Sequence, residues 1–442
     1  MNRKDFLISS KLEEFLYNYR INIIKIQSQI LIMPTIAKAF SKSIVISNLI
    51  PWLLIRVLIK YSFKKNNKDK RIGIFRHKFL IPYYPIIKEF PSNSCYVNTF
   101  QIIALKLVAY KTLTDFNLNK QYSSALFDLI KMFNSCYSHI LLPHDTYPDT
   151  FLLTQLLKYT NGSSSICIQH GTLARCYLEL PDKYNIITEG MNSDGYLAWN
   201  KFSSDLIKKL VLSKNNIYMN KNLKTIILNC NPSFHLDGTS SIWDIHQEED
   251  NEFRKSHINI VFLQVTRPGY YLCTFYDEIY QVIYEAIESL ILKESLQDKI
   301  SIYYKARFDD QIPDFFTNKS MIRILENKKE CLSKAKNSII FTGESTLAFE
   351  MREAGGFTIG LAKDKEEIEK FPSSIYNKSY LINKKTNPDK INEIVLKAID
   401  HYKNDLSPKS EDFLTCFSPE LQCISHMEIA KKILNFKRSK YI

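Results

Sequence analysis

Asn337 to Gly360 reads NSIIFTGESTLAFEMREAGGFTIG, and the parsing of this stretch decides the architecture. Ser338–Thr342 is a short apolar run, the pattern of a strand buried in a parallel sheet. Gly343 breaks it. Glu344, Ser345 and Thr346 then supply a carboxylate and two hydroxyls where a helix should begin, and that helix is expected to run to about Ala354. Gly355-Gly356 stop it, and Phe357–Leu361 reads as a second strand. The first N–H groups of a helix have no intrahelical partner, so a start built on Ser-Thr is a ready anion site. Glu350 lies four residues after Thr346 and shares its face. A carboxylate one turn into such a helix can accept two ribose hydroxyls while the helix start holds phosphates. The same residues also suit any strand–helix–strand unit whose helix happens to open on Ser-Thr, and the surrounding motifs bear on the choice.

Outward from this stretch the chain alternates strands and helices. His139–Pro143 is expected as a strand, Asp145–Asp149 as a loop and Thr150–Tyr159 as a helix closed by Asn161-Gly162. Ser165–Gln169 is then the next strand, ending in His170-Gly171-Thr172. This β-loop-α-β crossover is the building block of a parallel sheet, and its polar residues gather at strand carboxyl ends, where open α/β sheets bind ligands. Tyr196–Trp199 and Ser203–Val211 repeat the theme, followed by a strand at Thr225–Leu228. The polar, acidic stretch 234–256 carries no apolar period and reads as a linker. Beyond it, Ile258–Gln264, Tyr276–Leu292, Ser301–Lys305, Ile322–Leu325 and Cys331–Ala335 lead into the opening stretch, and residues 390–403 and 424–437 read as closing helices. The expected fold class is α/β with two Rossmann-like domains facing across a cleft, residues 71–233 and 257–400. A basic N-terminal extension (1–70) precedes them, and residues 401–442 close the chain.

Bulk composition narrows the function. The 442 residues are long enough for two domains with ample core, and 45% hydrophobic against 24% charged is a globular balance. Nine cysteines show no CxxC pair or regular framework, which points to reduced thiols in a cytoplasmic protein without a zinc site. Of the net charge of +13, residues 1–70 carry +9, thirteen Lys/Arg against four acids. The same region holds a dense apolar run, Leu49–Ile59, interrupted by Pro51 and Arg56 and shorter than the ~20 residues of a membrane span. Cations beside such a run suit the surface of an anionic membrane, and equally a core helix with a basic rim. Helix-turn-helix, zinc-finger and aromatic RNA-binding signatures are absent, so nucleic acid is not an expected partner.

Three blocks together resemble the two-Rossmann-domain (GT-B) glycosyltransferases, especially bacterial enzymes of capsule and lipopolysaccharide assembly. IQHGT at Ile168–Thr172 is similar to the strand-end QHG of their N-terminal domain. YLAW at Tyr196–Trp199 with its helix resembles the next unit, and GESTLAFEMREAGG at Gly343–Gly356 resembles their donor-nucleotide block. The likeness covers roughly residues 70–400. It implies a nucleotide-sugar donor, a glycan or lipid-linked glycan acceptor and a place on the inner face of the cell membrane. The nucleotide sugar is a substrate, and no cofactor or metal is implied. No Asp-x-Asp metal motif stands where one would serve. The chain departs from the family after Ser301–Lys305, where many relatives carry His-Pro and this chain has Lys305-Ala306-Arg307. That departure weakens a CMP-sialate reading. HGTLAR at His170–Arg175 is also similar to the block of teichoic-acid glycerophosphotransferases, so a CMP-Kdo or CMP-sialic acid transferase, or a CDP-polyol phosphotransferase, remains open. A non-catalytic membrane-associated assembly subunit of the same fold remains open too.

Each candidate residue has a role and a plainer rival. His170, next to Gly171 at a strand end, suits a general base for an acceptor hydroxyl, or a structural histidine orienting its loop. Asp145 in PHDTYPD suits the base of an inverting displacement, or a turn residue capping the helix near Asp149. Lys305, Arg307 and Arg267 (in VTRPG) stand at strand ends where cations meet phosphate or are merely solvated; Arg is well shaped for bidentate contact. Glu344, Ser345, Thr346 and Glu350 form the expected nucleotide block.

Overall fold

The computed structural model describes residues 42, 45, 49–62, 71–92, 94–114, 120–145, 147–169, 192–199, 201–213, 220–228, 257–264, 273–293, 299–306, 312, 314–317, 319–335, 338–343, 345, 347, 348, 351, 356–361, 381–383, 385–403 and 424–437. They fall into two compact α/β units. One comprises the residues up to 169, those from 192 to 228 and those from 424 onward; the other comprises 257–403. The expected linker 234–256 lies outside the described residues.

The first unit is built on six strands: β1 (Arg71–Ile74), β2 (Cys95–Tyr96), β3 (Tyr137–Leu142), β4 (Ser164–Ile168), β5 (Gly195–Ala198) and β6 (Lys224–Ile227). They lie in the order β2-β1-β3-β4-β5-β6 with every pairing parallel. Parallel neighbours demand crossovers; Thr99–Thr114 and Lys120–Cys136 lie between β2 and β3, Pro148–Tyr159 between β3 and β4, and Lys201–Ser213 between β5 and β6. β4 and β5 are buried at every residue, as strands covered on both faces must be. The helix after β3 opens on Pro148, whose missing N–H would be unsatisfied there in any case. It closes at Asn161, in the left-handed region with φ 48°, where Gly162 N–H donates to Leu157 O at 3.0 Å. A Cβ on Gly162 would fall on the Asn134 carboxamide, which instead accepts from Ser163 N–H at 2.9 Å.

Two helices far apart in sequence complete this unit. Trp52–Ser62, within the expected extension, buries Trp52, Ile55 and Ile59 against the helices Thr99–Thr114 and Lys120–Cys136, and Arg56 meets Asp128 at 3.5 Å. At the other end of the chain, His426–Leu434 packs on β6 and on the short helix Tyr84–Lys88. The segment after it is tied down by His139 Nε2–H donating to Phe436 O at 2.9 Å and by Lys224 Nζ donating to Lys437 O at 2.8 Å. Among the described residues no helix is long and apolar enough to cross a membrane.

The second unit repeats the plan with β7 (Ile258–Leu263), β8 (Ile300–Lys305), β9 (Ile322–Ile324), β10 (Ser338–Thr342), β11 (Phe357–Leu361) and β12 (Leu381–Ile382). The order is β12-β11-β10-β7-β8-β9, again all parallel. β7, β10 and β11 are buried throughout. Phe262 on β7 is the hub of the core, with ring centroids 5.3 Å from Phe341, 5.5 Å from Tyr280 and 5.6 Å from Phe316. The helices Cys273–Lys293 and Pro388–Lys403 pack together beside it. Two Rossmann-like α/β units, the expected fold class, are therefore present. Among the described residues Cys95, Cys136, Cys167 and Cys331 are not in disulfides, and the last two are buried.

Gly195 tests the docking of the C-terminal segment. A Cβ there would come within 2.8 Å of Phe436 Cζ and 3.3 Å of Ile166 Cγ1. Gly195→Ala should cost about 1–3 kcal/mol by overpacking. The cost should shrink in a Phe436→Ala background, as denaturant titration of the single and double variants would show; equal costs in both backgrounds would contradict the docking.

Candidate functional site

In an open parallel sheet the strand order reverses at one place, and the loops leaving the two strands there diverge to opposite faces. The crevice between them is where such sheets hold ligands. In the second unit the reversal lies between β7 and β10. Phe262 pairs with Phe341, so Leu263-Gln264 and Thr342-Gly343 leave the sheet side by side. Ser345 follows at the start of the next helix, where Leu347, Ala348 and Met351 are helical and Ala348 N–H donates to Ser345 O at 3.1 Å. On the other side of β7, Lys305 ends β8 opposite Leu263, and Gln264 N–H donates to Lys305 O at 3.0 Å. The half-buried Lys305 ammonium donates to Ala306 O at 2.6 Å. The Tyr280 hydroxyl donates to Leu263 O and holds the helix Cys273–Lys293 to the end of β7.

Lys305 thus ends one of the strands that flank β7, and Ser345 follows the end of the other. Glu344, Thr346, Glu350, Arg267 and Arg307 lie outside the described residues, as does His170. Their neighbours fix where those segments start: Gln264 precedes Arg267 by three residues, Ala306 adjoins Arg307, and Gln169 adjoins His170.

In the first unit the reversal lies between β1 and β3. Phe75 N–H extends the pairing to Leu141 O at 3.1 Å, and the chain then presents Arg76 and His77 from one strand and Pro143 and His144 from the other. The His77 and His144 rings meet edge-on at 5.4 Å, the His144 and Tyr147 rings lie 3.9 Å apart, and His144 Nδ1 is 3.2 Å from Thr150 Oγ1. His77 drew no attention in the sequence because no local pattern marks it; only the strand order brings it beside His144.

Asp145 has a role that neither sequence reading foresaw. It is fully buried, and Oδ2 accepts from Asn192 N–H (2.8 Å), Ser193 N–H (2.5 Å) and Ser193 Oγ (2.7 Å). The carboxyl therefore anchors the residues leading into β5, and the buried Oδ1 has no hydrogen-bond partner among the described residues. Burial pushes its pKa up, against the pull of the Ser193 and Asn192 hydrogen bonds and the Lys158 charge. Asp149, in the first turn of the following helix, is pushed up by burial in the same way, with Lys106 opposing.

Gln169, the residue before His170, is a second brace. Its N–H donates to Leu197 O at 3.0 Å, its Oε1 accepts from Trp199 N–H at 2.8 Å and its Nε2 donates to Ser203 Oγ at 3.2 Å. Its backbone carbonyl accepts from Trp199 Nε1–H at 3.0 Å and from the Tyr83 hydroxyl. One buried amide thus ties the ends of β4 and β5 to the following helix, which sets where the His-Gly-Thr segment begins. Among the described residues no cluster of three or more His, Cys, Asp or Glu is placed to hold a metal ion.

No protein-family model matches this chain, and no curated protein does. Among solved structures it is similar to the S. aureus MnaA–UDP co-structure, at 14% identity and TM-score 0.46, covering 83% of this chain and 95% of that one. It is also similar to a UDP-forming α,α-trehalose-phosphate synthase from Burkholderia xenovorans (9%, 0.46, 83% and 99%). A third is the Methanocaldococcus jannaschii UDP-GlcNAc 2-epimerase in complex with UDP-GlcNAc and UDP (14%, 0.45, 82% and 99%). Likeness at this level assigns neither substrate nor reaction.

Asp145 yields a prediction with a sign. A carboxyl held above its unfolded value stabilises the fold fully at low pH, and that contribution is lost as pH rises from about 4 through the folded value. Asp145→Asn removes the titration, so its stability relative to the parent should increase with pH across that window. Asp145→Ala should fall below Asp145→Asn by about 1–3 kcal/mol, because it strands the Asn192 and Ser193 donors. Denaturant melts from pH 4 to 8 measure both, and a pH-independent difference between parent and Asp145→Asn would contradict the burial of a titrating carboxyl.

Proposed function

We infer that the chain is a glycosyltransferase that moves a sugar from a nucleotide-activated donor to a growing surface glycan or lipid-linked glycan. The observation that carries this reading is a coincidence of place. The strand-order reversal of the second sheet lies between β7 and β10, where Leu263-Gln264 and Thr342-Gly343 leave the sheet; Arg267 and Glu344–Thr346 follow these residues in sequence, and Lys305 ends the neighbouring strand. Chemistry that releases a nucleotide needs fixed positive potential where the leaving phosphate develops charge, and helix-start N–H groups with nearby cations supply it without reorganisation.

In this reading Ser345 and Thr346 cap the helix start and share its N–H groups with phosphate, while Glu344 lies at the turn. Glu350 accepts the ribose hydroxyls. Lys305, Arg307 and Arg267 are the cations facing the phosphates. In the first unit His170 takes the acceptor proton, a role its near-neutral pKa range suits. Asp145, whose Oδ2 already accepts three hydrogen bonds, holds the frame of that unit. The nucleotide sugar is a substrate, and the reading calls for no cofactor. The acceptor places the enzyme at the cytoplasmic face of a membrane during capsule or lipopolysaccharide synthesis. The His170–Arg175 segment favours one second reading, a CMP- or CDP-dependent transferase of Kdo, sialic acid or a polyol phosphate.

The donor is testable by ligand linkage. A bound nucleotide raises stability by RT ln(1 + [L]/Kd), about 2.7 kcal/mol at a hundredfold excess over Kd. One of UDP, GDP, CDP and CMP should raise the Tm by several degrees, and Glu350→Ala should abolish the rise. UDP or GDP as the responder supports the leading reading, whereas CDP or CMP moves it to the second. A flat panel on folded protein overturns both and leaves the non-catalytic assembly subunit.

A further inference from the structure

The helix Trp52–Ser62 is pinned along one face and bare along the other. Trp52, Ile55 and Ile59 are buried against neighbouring helices, and Lys111 Nζ sits 5.4 Å from the Trp52 ring centre. On a surface helix the opposite face should be polar. Here it presents Leu53 (68% exposed), Leu54, Val57 and Tyr61 (67%), preceded by the exposed Leu49 (79%) and Val45. Val45, Leu49, Leu53, Val57 and Tyr61 recur every four residues, and Pro51 divides the row. An apolar strip this continuous on an anchored helix marks a contact surface.

The charge around it identifies the occupant. From Phe15 to Lys68 the chain has nine Lys/Arg and no Asp or Glu. Lys60 is exposed on the same helix, and Lys64, Lys65 and Lys68 follow within eight residues. A second copy of this surface would bring like charges together. Residues 15–41 of the same chain offer no acid to meet these lysines either. We propose that the Leu53–Leu54–Val57–Tyr61 face lies in the headgroup–acyl boundary of an anionic bilayer, the helix parallel to the surface and Lys60 at its edge on lipid phosphates. Docking of this kind needs no nucleotide and stands independently of the proposed reaction.

The test uses full-length protein in vesicle co-sedimentation without nucleotide, comparing phosphatidylcholine alone with phosphatidylcholine containing 30% phosphatidylserine. The parent should bind the anionic vesicles at least tenfold more strongly than the neutral ones. Leu53→Glu/Val57→Glu, which alters only exposed positions, should lose at least tenfold of that binding while keeping the parental Tm. Undiminished binding by the folded double variant overturns the proposal. So does a parent that ignores anionic vesicles, or a parental dimer that the double variant converts to monomer. Should the double variant not fold, Tyr61→Trp decides: brominated lipids should quench its added fluorescence relative to the parent, and absence of that quenching overturns the insertion.

Discussion

Parallel pairing is the constraint on which the rest of this molecule depends. Every strand contact in both sheets is parallel, so each connection crosses a face and every strand in a sheet delivers its carboxyl end to the same edge. The polar residues that the chain places at strand ends are thereby collected rather than scattered. Reversal of strand order then opens one gap in each edge. Within the second unit the order is that of a doubly wound sheet with its first and fourth strands adjacent, the arrangement associated with dinucleotide binding. Within the first unit the reversal falls after the second strand position, and it brings His77 to His144.

Buried polar side chains fix the edges that the sheets create. Apolar packing such as that around Phe262 excludes water but gives a loop little direction. Asp145 and Gln169 do give direction, because a buried donor or acceptor left unpaired costs about 1–3 kcal/mol and so holds its partners in one geometry. Asp145 spans 47 and 48 residues of chain to hold the backbone before β5. Gln169 joins two strand ends and a helix around the residue that precedes His170. Asp145, itself read as a candidate base, and Gln169, which precedes the candidate His170, both brace the backbone around them.

How much of this was legible in the sequence depends on the length scale of each feature. The central strands were plain, since runs such as NIVFL and SIIFT have no solvent-facing residues to alternate. Helix stops at Asn161-Gly162 were equally local. The two-residue edge strands Cys95–Tyr96 and Leu381–Ile382 were invisible, being too short to show any period. The strand order, and with it the position of each reversal, is settled by which side each crossover takes, and no residue pattern announces that. The return of His426–Leu434 to the first unit was hidden for the same reason: its amphipathic spacing declares a face to bury but not the partner. Asp145 could be read as a base or a cap from its neighbours in sequence, whereas its actual partners lie nearly fifty residues away.

The central claim is that a nucleotide occupies the reversal of the second sheet. Hydrogen–deuterium exchange with and without the nucleotide that stabilises the protein most tests it directly. The account predicts slowed exchange in the segments following β7 and β10, from Gln264 through Arg267 and from Gly343 through Met351, with the β12 edge unchanged. Protection confined to other segments, or none at a concentration that raises Tm, would contradict it.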